Sequence, residues 1–280
     1  MILVTGGTGN VGADVVRELL DAGEEVRVLS REPGDRSFPD GVEAVPGDLN
    51  RPESLPAALS GVERAFLMSP AFAGVGGFLG AARRAGLRHA VLLSSASVLA
   101  ETAGFIGEQH QRLEKAVLDS GLPWTFVRPG AFMTNDLAWA PQIGDGAVVR
   151  GVYGNAAMAP VDPRDIAAVA VHALLEQRVG EAPVLTGPQS LTQIERVRII
   201  ADAIGRPLRF EEMPPEQYRE QMLHHGMLAS VIDQLIVGLA ARDGKAADIS
   251  PAGQEITGRQ AFTYAQWAAP RASAFDPAMV

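Results

Sequence analysis

Short apolar runs alternate along this chain with longer stretches in which apolar residues recur every three or four positions. Seven runs rich in valine, leucine and isoleucine predict strands at 2–5, 26–30, 42–47, 64–69, 89–95, 124–129 and 183–187. The stretches between them, such as ADVVRELLDAG and EKAVLDSG, predict amphipathic helices that end at glycine. Strands that are apolar on both faces and separated by helix-length segments indicate βαβ units. The predicted fold class is therefore α/β, with a doubly wound parallel Rossmann sheet.

The alternation of strands and helices stops near residue 131. It resumes with DPRDIAAVAVHALLEQ at 162–177 and the strand at 183–187, and a mostly helical tail follows. We therefore predict a doubly wound core at 1–187, interrupted near 132–160, and a smaller, mostly helical C-terminal cap at 188–280. A chain of 280 residues is long enough for such a core and cap.

Composition and charge exclude several classes of function. The net charge is −9 and the only lysines are Lys115 and Lys245, so no basic stripe is present to neutralise a nucleic acid. The chain has no cysteine, which excludes disulfides, thiolate nucleophiles and cysteine-based zinc sites. His224 and His225 have no metal-ligand partners at useful spacing, and the apolar runs are too short to span a bilayer. We expect a cytoplasmic protein with no metal and no nucleic acid or membrane partner.

The sequence TGGTGNVG connects the first strand directly to the first helix. Glycines in this position allow a tight turn, a close approach of the backbone to a pyrophosphate, and close packing of helix on strand. The free amides and the positive end of the helix dipole then face the anion. No Gly-Lys-Ser/Thr follows, which excludes a P-loop. The loop predicts dinucleotide binding, with cofactor contacts from Thr5, Gly6, Gly7, Thr8, Gly9, Asn10, Val11 and Gly12.

The end of the second strand bears on the choice of dinucleotide. Ser30 and Arg31 stand where NAD-binding proteins carry an aspartate for the ribose 2′-hydroxyl. A guanidinium there can bind the 2′-phosphate and stack on adenine, so NADP(H) is the predicted cofactor. Two alternatives stay open: Arg31 is a solvated surface residue, or the neighbouring Glu32 selects NAD.

Several motifs in order resemble a known family. Read as Gly6-x-x-Gly9-x-x-Gly12 behind a threonine, the loop resembles the extended and atypical short-chain dehydrogenase/reductases. The stretch GEQHQRLEKAVLDSGLPWTFVRPGAFMTN, followed by DPRDIA and LTGPQSLTQIE, resembles the NmrA-like branch, which includes quinone and triphenylmethane reductase-like proteins, over essentially the whole chain. The resemblance implies further cofactor contacts after the third to sixth strands, from Asp48, Leu49, Met68, Ser69, Pro70, Ser94, Pro129, Gly130, Ala131 and Phe132.

The catalytic tyrosine of the superfamily is missing. Its Tyr-x-x-x-Lys pair falls on Ile106 and His110, and the chain's tyrosines, Tyr153, Tyr218 and Tyr264, lie elsewhere. The resemblance gives His110 the position of a contact to the nicotinamide ribose. A proton donor and a partly buried helix residue are the alternatives.

Two more residues around this helix are candidates. Ser95 lies where the superfamily places its active-site serine, and it joins His110 as a candidate catalytic residue. Glu114, four residues after His110, either orients the imidazole or is a solvated helix residue.

A set of apolar side chains either lines a pocket for a flat ligand or fills the core. The set comprises Phe132, Met133, Trp139, Met158, Met213, Met222 and Met227.

The resulting hypothesis is an NADPH-dependent reductase that transfers hydride to a flat apolar acceptor, such as a quinone, an enone or a polycyclic aromatic ketone. The alternative from another class is a non-catalytic NADP(H)-binding redox sensor that regulates a protein partner. Cofactor-assisted isomerisation is a third hypothesis.

Overall fold

The computed structural model describes residues 1–35, 38–68, 75–100 and 104–275. The strands are β1 (Ile2–Thr5), β2 (Val26–Ser30), β3 (Val42–Pro46), β4 (Arg64–Leu67), β5 (His89–Leu93), β6 (Trp124–Pro129), β7 (Val148–Gly151), β8 (Ala157–Met158), β9 (Val184–Leu185), β10 (Leu191–Thr192) and β11 (Arg209–Glu212). The helices are α1 (Gly12–Asp21), α2 (Leu55–Leu59), α3 (Val75–Ala85), α4 (Gly104–Ser120), α5 (Ala140–Asp145), α6 (Pro163–Glu176), α7 (Gln193–Ile204), α8 (Pro215–His224), α9 (Ala229–Arg242), α10 (Ala252–Thr257), α11 (Tyr264–Ala268) and α12 (Ala272–Phe275).

A seven-stranded sheet in the order β3-β2-β1-β4-β5-β6-β9 forms the centre of the molecule. All of its pairings are parallel, which confirms the predicted doubly wound architecture. The strand order reverses between β1 and β4, and in doubly wound sheets such a switch point is where ligands bind, in a crevice at the carboxyl ends of the strands. The strands predicted at 2–5, 26–30 and 124–129 are confirmed to the residue, whereas the one at 183–187 shortens to β9.

Both faces of the sheet are covered by helices. On one face, Val15 of α1 and Val169 of α6 pack in one apolar cluster with Val4 of β1. On the other face, Phe78 of α3 and Val117 of α4 belong to a second cluster. Each helix follows its strand back across the sheet, so the amino end of α1 and the middle of α4 are brought to the crevice.

The interruption near 132–160 and much of the tail share a third apolar core. Met133, Ile143 and Val149 pack in one cluster with Ile200 of α7 and Trp267 of α11. The tail also returns to the sheet, because α10 packs against α6 and α9 packs against α4. Two small sheets, β8 with β10 and β7 with β11, tie the interruption to the tail. Within the described ranges, no helix is long and apolar enough to cross a membrane.

A buried polar group lies inside this third core. Arg196 of α7 donates to both carboxylate oxygens of Asp136 at 2.6 Å, and the hydroxyl of Tyr264 donates to the same carboxylate at 2.6 Å. Burial raises the pKa of Asp136, while the pairing with Arg196 opposes that rise. Burial also raises the pKa of Tyr264, with the Asp136 charge adding to the effect. The group joins residues far apart in sequence, and the pattern of the chain gave no indication of it.

Candidate functional site

The glycine loop is held in place from both sides. The hydroxyl of Thr5 donates to the main-chain oxygen of Met68 at 2.9 Å and accepts from the Met68 N–H at 2.7 Å, which ties the end of β1 to the end of β4. Gly6 adopts a φ of +65°, and the N–H of Gly9 donates to its carbonyl at 2.9 Å. Thr8 and Asn10 are exposed at the rim of the loop, and Val11 is buried beneath it. A positive φ is easily reached by glycine alone, so the tight turn requires Gly6.

Besides Gly6, two glycines of the loop have no room for a side chain. A Cβ at Gly12 would lie 2.1 Å from the carbonyl oxygen of Gly6, and one at Gly7 would lie 2.8 Å from Cγ1 of Val28 in β2. A Cβ at Gly9 would meet Gly6 and Met68 only at 3.3 Å and 3.4 Å. Gly7 and Gly12 therefore allow loop, strand and helix to pack closely, whereas Gly9 keeps the outer face of the loop open. These are the properties of a pyrophosphate cradle at a helix amino end.

The residues predicted at the adenine end lie at the ends of β2 and β3. Ser30 is half-buried and Arg31 is exposed; Arg31 makes no ion pair with any residue in the described ranges. Asp48 accepts from the N–H of Asn50 at 2.9 Å, and its own N–H donates to the hydroxyl of Ser54 at 3.0 Å. Leu49 packs against the cluster on the α3 face. The guanidinium of Arg31 is thus available to an anion in the crevice.

The end of β4 borders the crevice at the switch point. The terminal methyl of Met68 lies where a Cβ of Gly6 would project, at 2.2 Å, so this side chain covers the base of the loop. Ser69 and Pro70, which were also predicted to contact the cofactor, lie outside the described residues.

The two serines after β5 differ in their surroundings. Ser94 is 3% exposed, and its hydroxyl donates to the carboxylate of Glu114 at 2.6 Å. Contact between Ser94 and a cofactor would therefore have to come from the main chain. Ser95 is half-buried at the start of a short 3-10 helix, where its hydroxyl accepts from the Ser97 N–H at 3.2 Å and from the Ser97 hydroxyl at 2.9 Å. Ser95 is thus the more accessible of the two.

The interpretation of Glu114 as a solvated helix residue is wrong. Its residue surface is 7% exposed, and Arg128 of β6 binds its carboxylate with two hydrogen bonds, of 2.9 Å from Nε and 2.7 Å from Nη2. One signal in the sequence pointed to this pair. An arginine inside a strand buried on both faces needs an anionic partner, because an unpaired buried charge is costly.

His110 lies one helical turn from Glu114 on α4. It is half-buried, and burial lowers its pKa, although the nearby Glu114 charge acts in the opposite direction. The imidazole is therefore mainly neutral at pH 7. Leu113 and Val117 on the same face are buried in the core, and Ile106 is half-buried. His110 thus lies at the edge of the packed face of the helix.

The turn after β6 is fixed by main-chain hydrogen bonds. The N–H of Gly130 donates to Leu185 of β9 at 2.9 Å, and Ala131 accepts from the N–H of Val161 at 2.8 Å. Pro129 is buried, and Phe132 packs against the cluster on the α1 face. The turn therefore holds a defined position at the carboxyl end of the sheet.

The proposed apolar wall does not form as one surface. Met133 is 1% exposed inside the third core with Trp139 packed against it, whereas Phe132 packs on the other cluster. Met213 is 8% exposed, and Met227 is exposed on the surface. Phe132 and Met133 diverge because Phe132 has an extended backbone and Met133 begins a 3-10 helix, so their side chains point in different directions. Met133 and Met213 are core residues.

Comparison with known proteins supports a nucleotide-binding role. The NAD(P)H-binding family model matches residues 6–177, which begin at the glycine loop and end with α6. A (4-alkanoyl-5-oxo-2,5-dihydrofuran-3-yl)methyl phosphate reductase of Streptomyces griseus is 42% identical, over 99% of this chain and 100% of the relative. An NAD(P)H azoreductase of Xenophilus azovorans is 35% identical over the same shares of the two chains. The crystal structure of the NADPH-dependent quinone oxidoreductase of Escherichia coli, complexed with NADPH, has the same fold, with a TM-score of 0.82 and 22% identity over 96% of this chain and 99% of that one.

Proposed function

The chain belongs to the NAD(P)H-binding, NmrA-like family and is an NAD(P)H-dependent reductase, and from this premise we propose that it uses NADPH to reduce a flat, conjugated, apolar acceptor. Quinones, enones and polycyclic aromatic ketones are the acceptor classes. The observation that carries the proposal is the cradle from Gly6 to Gly12, in which a Cβ at Gly12 would overlap the Gly6 carbonyl. Bound NADPH supplies a hydride from the C4 atom of its nicotinamide.

Each part of the crevice fits one part of the dinucleotide. The glycine loop and the amino end of α1 would hold the pyrophosphate, and Asp48 and Leu49 would border the adenine. The turn at 129–132 and His110 would border the nicotinamide ribose. The elements come from β1, β3, β6 and α4, so the cofactor would lie across the carboxyl edge of the sheet.

Arg31 supports NADPH over NADH. Its side chain is exposed at the end of β2, and no carboxylate in the described ranges pairs with it. A guanidinium offers charge-assisted hydrogen bonds to the adenosine 2′-phosphate, which NADH lacks. Glu32 is also exposed, and only its main-chain N–H is held here, as it donates to the Ser30 hydroxyl at 3.3 Å.

The protein's own contribution to the reaction is mainly positioning. Tyr264 is excluded as a proton donor because it is buried and bonded to Asp136. Burial lowers the pKa of His110 and so favours its neutral imidazole, which can donate or accept a hydrogen bond to the cofactor ribose but is a much weaker acid than an imidazolium. Water is therefore the proton source that we propose for the reduced acceptor. Correct placement of two reactants can by itself lower a barrier by about 7–11 kcal/mol.

The acceptor class is drawn from chemistry shared by the two relatives. The Streptomyces protein is named for an oxo-dihydrofuran ring with an alkanoyl group, which is a planar conjugated carbonyl compound. The Xenophilus protein is named for azo compounds, whose N=N bond is also conjugated. Both names denote reductases, which favours catalysis over the sensor hypothesis. We propose that residues 188–280, with the segment near 132–160 that shares their core, cap the acceptor.

The test is anaerobic oxidation of NADPH and NADH, followed at 340 nm with a panel of acceptors. The panel contains a naphthoquinone, an alkanoyl butenolide with and without its phosphate, an azo dye and a polycyclic aromatic ketone. We expect NADPH oxidation with at least one conjugated acceptor and one equivalent of acceptor reduced per NADPH. A folded Gly9→Ala variant should turn over more slowly at subsaturating NADPH, because its affinity for NADPH is lower. Tight NADPH binding without oxidation by any acceptor would support the sensor hypothesis instead.

A further inference from the structure

Three side chains from separate elements meet in a buried group near the carboxyl ends of β5 and β6. Ser94 follows β5, Glu114 lies on α4 and Arg128 lies on β6. The carboxylate of Glu114 accepts 2.6 Å from the Ser94 hydroxyl and 2.9 Å and 2.7 Å from the Arg128 guanidinium. The side chains of Glu114 and Arg128 are 9% and 18% exposed. We name this group the clamp.

Each member of the clamp adjoins a residue that the proposed function places near the nicotinamide. Ser94 precedes Ser95, Glu114 lies one turn after His110, and Arg128 precedes the turn at 129–132. The glycine loop and the residues that border the adenine make no hydrogen bond to the clamp within the described part of the chain. The clamp therefore connects only the elements at one end of the crevice.

We propose that Glu114 is a positioning residue: through Ser94 and Arg128 it fixes His110 and the turn at 129–132 in one arrangement that aligns the nicotinamide with the acceptor. This inference rests on the proposed reductase function. The physical reason is that a bidentate guanidinium–carboxylate pair fixes both distance and orientation, and burial protects the pair from competing water. A misplacement of about 1 Å at the reacting end can lower turnover roughly 100-fold.

The test compares Glu114→Gln with a matched control, Glu24→Gln. Glu24 pairs with Arg64 at 3.0 Å, with side chains 25% and 17% exposed, at the opposite end of the strands. Both substitutions remove one carboxylate from a partly buried ion pair, so a general loss of stability affects both. We expect Glu114→Gln to lower kcat about tenfold and to change the Kd for NADPH less than threefold, because the cradle is untouched. Glu24→Gln should leave both values unchanged.

A second readout uses the free protein and needs no turnover. NMR titration of the five histidines, with His110 assigned from a His110→Gln variant, reports the pKa of this imidazole. In Glu114→Gln the attraction of the carboxylate is lost and the Arg128 charge is left unbalanced, so the pKa of His110 should fall further. In Glu24→Gln it should not move.

Specific results would overturn the clamp. The clamp is refuted if folded Glu114→Gln has the kcat and the His110 titration of the parent. It is also refuted if Glu24→Gln loses as much kcat as Glu114→Gln. If Glu114→Gln does not fold, the Ser94→Ala variant replaces it, because this substitution leaves no charge unpaired. A severalfold loss of kcat at constant NADPH affinity in Ser94→Ala supports the clamp. A parent-like kcat refutes it. If none of the tested acceptors supports NADPH oxidation by the parent, the proposed function fails. The His110 titration then decides the clamp by itself.

Discussion

The glycine loop allows two substitutions with the same chemistry and different expected outcomes. A methyl group at Gly9 would lie 3.3 Å from the Gly6 main-chain oxygen and 3.4 Å from the Met68 methyl, and both contacts are relieved by shifts of a few tenths of an ångström. A methyl group at Gly12 would lie 2.1 Å from the Gly6 oxygen and 2.7 Å from its carbonyl carbon. Both are backbone atoms, and the overlap is more than roughly 1 Å relative to ordinary packing distances.

The expected magnitudes follow from these distances. Gly9→Ala should cost less than about 1 kcal/mol of unfolding free energy, whereas overpacking at Gly12 should cost about 1–3 kcal/mol. In a protein of this size, 1 kcal/mol corresponds to roughly 2–4 °C in Tm. The Gly9 methyl would occupy the space that the pyrophosphate approaches, and each lost charge-assisted hydrogen bond is worth roughly 1.5–3 kcal/mol. We therefore expect Gly9→Ala to raise the Kd for NADPH about 10- to 100-fold.

Scanning calorimetry and NADPH titration calorimetry test both parts. Gly144→Ala is the control, because this exposed glycine of α5 has no atom within 4 Å of an added Cβ. It should bind NADPH like the parent. Normal NADPH affinity in Gly9→Ala would refute the cradle, and a Tm in Gly12→Ala equal to that of Gly9→Ala would refute the packing argument.

Three further outcomes are expected. Arg31→Ala should narrow the preference for NADPH over NADH about 10- to 100-fold in calorimetric Kd values, since roughly 1.5–3 kcal/mol of charged hydrogen bonding is lost, while the exposed Arg84→Ala control keeps the parent preference. His110→Ala should weaken NADPH binding severalfold and leave the pH profile of turnover intact; a roughly 100-fold or larger loss of kcat with loss of an ionisation would instead identify a proton donor. Burial raises the pKa of Asp165 from 3.8 to about 6. Between these two pH values the folded protein binds a proton at Asp165, whereas the unfolded chain stays ionised there. The free energy of unfolding therefore increases as the pH falls through this range. Asp165→Asn should therefore raise Tm at pH 8, by roughly 2–4 °C for about 1 kcal/mol after allowance for solvent, and much less at pH 4.5; an equal rise at both pH values would contradict this reasoning.

The sequence by itself determined the parts of this protein that depend on neighbours along the chain. Apolar runs separated by helix-length segments predicted the strands of a doubly wound parallel sheet, and the glycines directly after β1 predicted the tight turn that leads into α1. Gly121 after α4, with a φ of +69°, ends its helix as the pattern predicted. These features are local because backbone conformation and side-chain periodicity are set within a few residues.

The tertiary structure alone decided which polar groups are paired and which apolar groups share a core. The sequence pattern allows Glu114 to be a surface residue of an amphipathic helix. In the structure, β5 and β6 bring Ser94 and Arg128, 20 and 14 residues away in sequence, into contact with it. Asp136 and Tyr264 meet across 128 positions, and consecutive residues Phe132 and Met133 enter different clusters. Sequence periodicity states which side of an element is apolar but not which distant element covers it. The pairing of buried charges depends on that covering element, because the cost of an unpaired charge arises only once water is excluded.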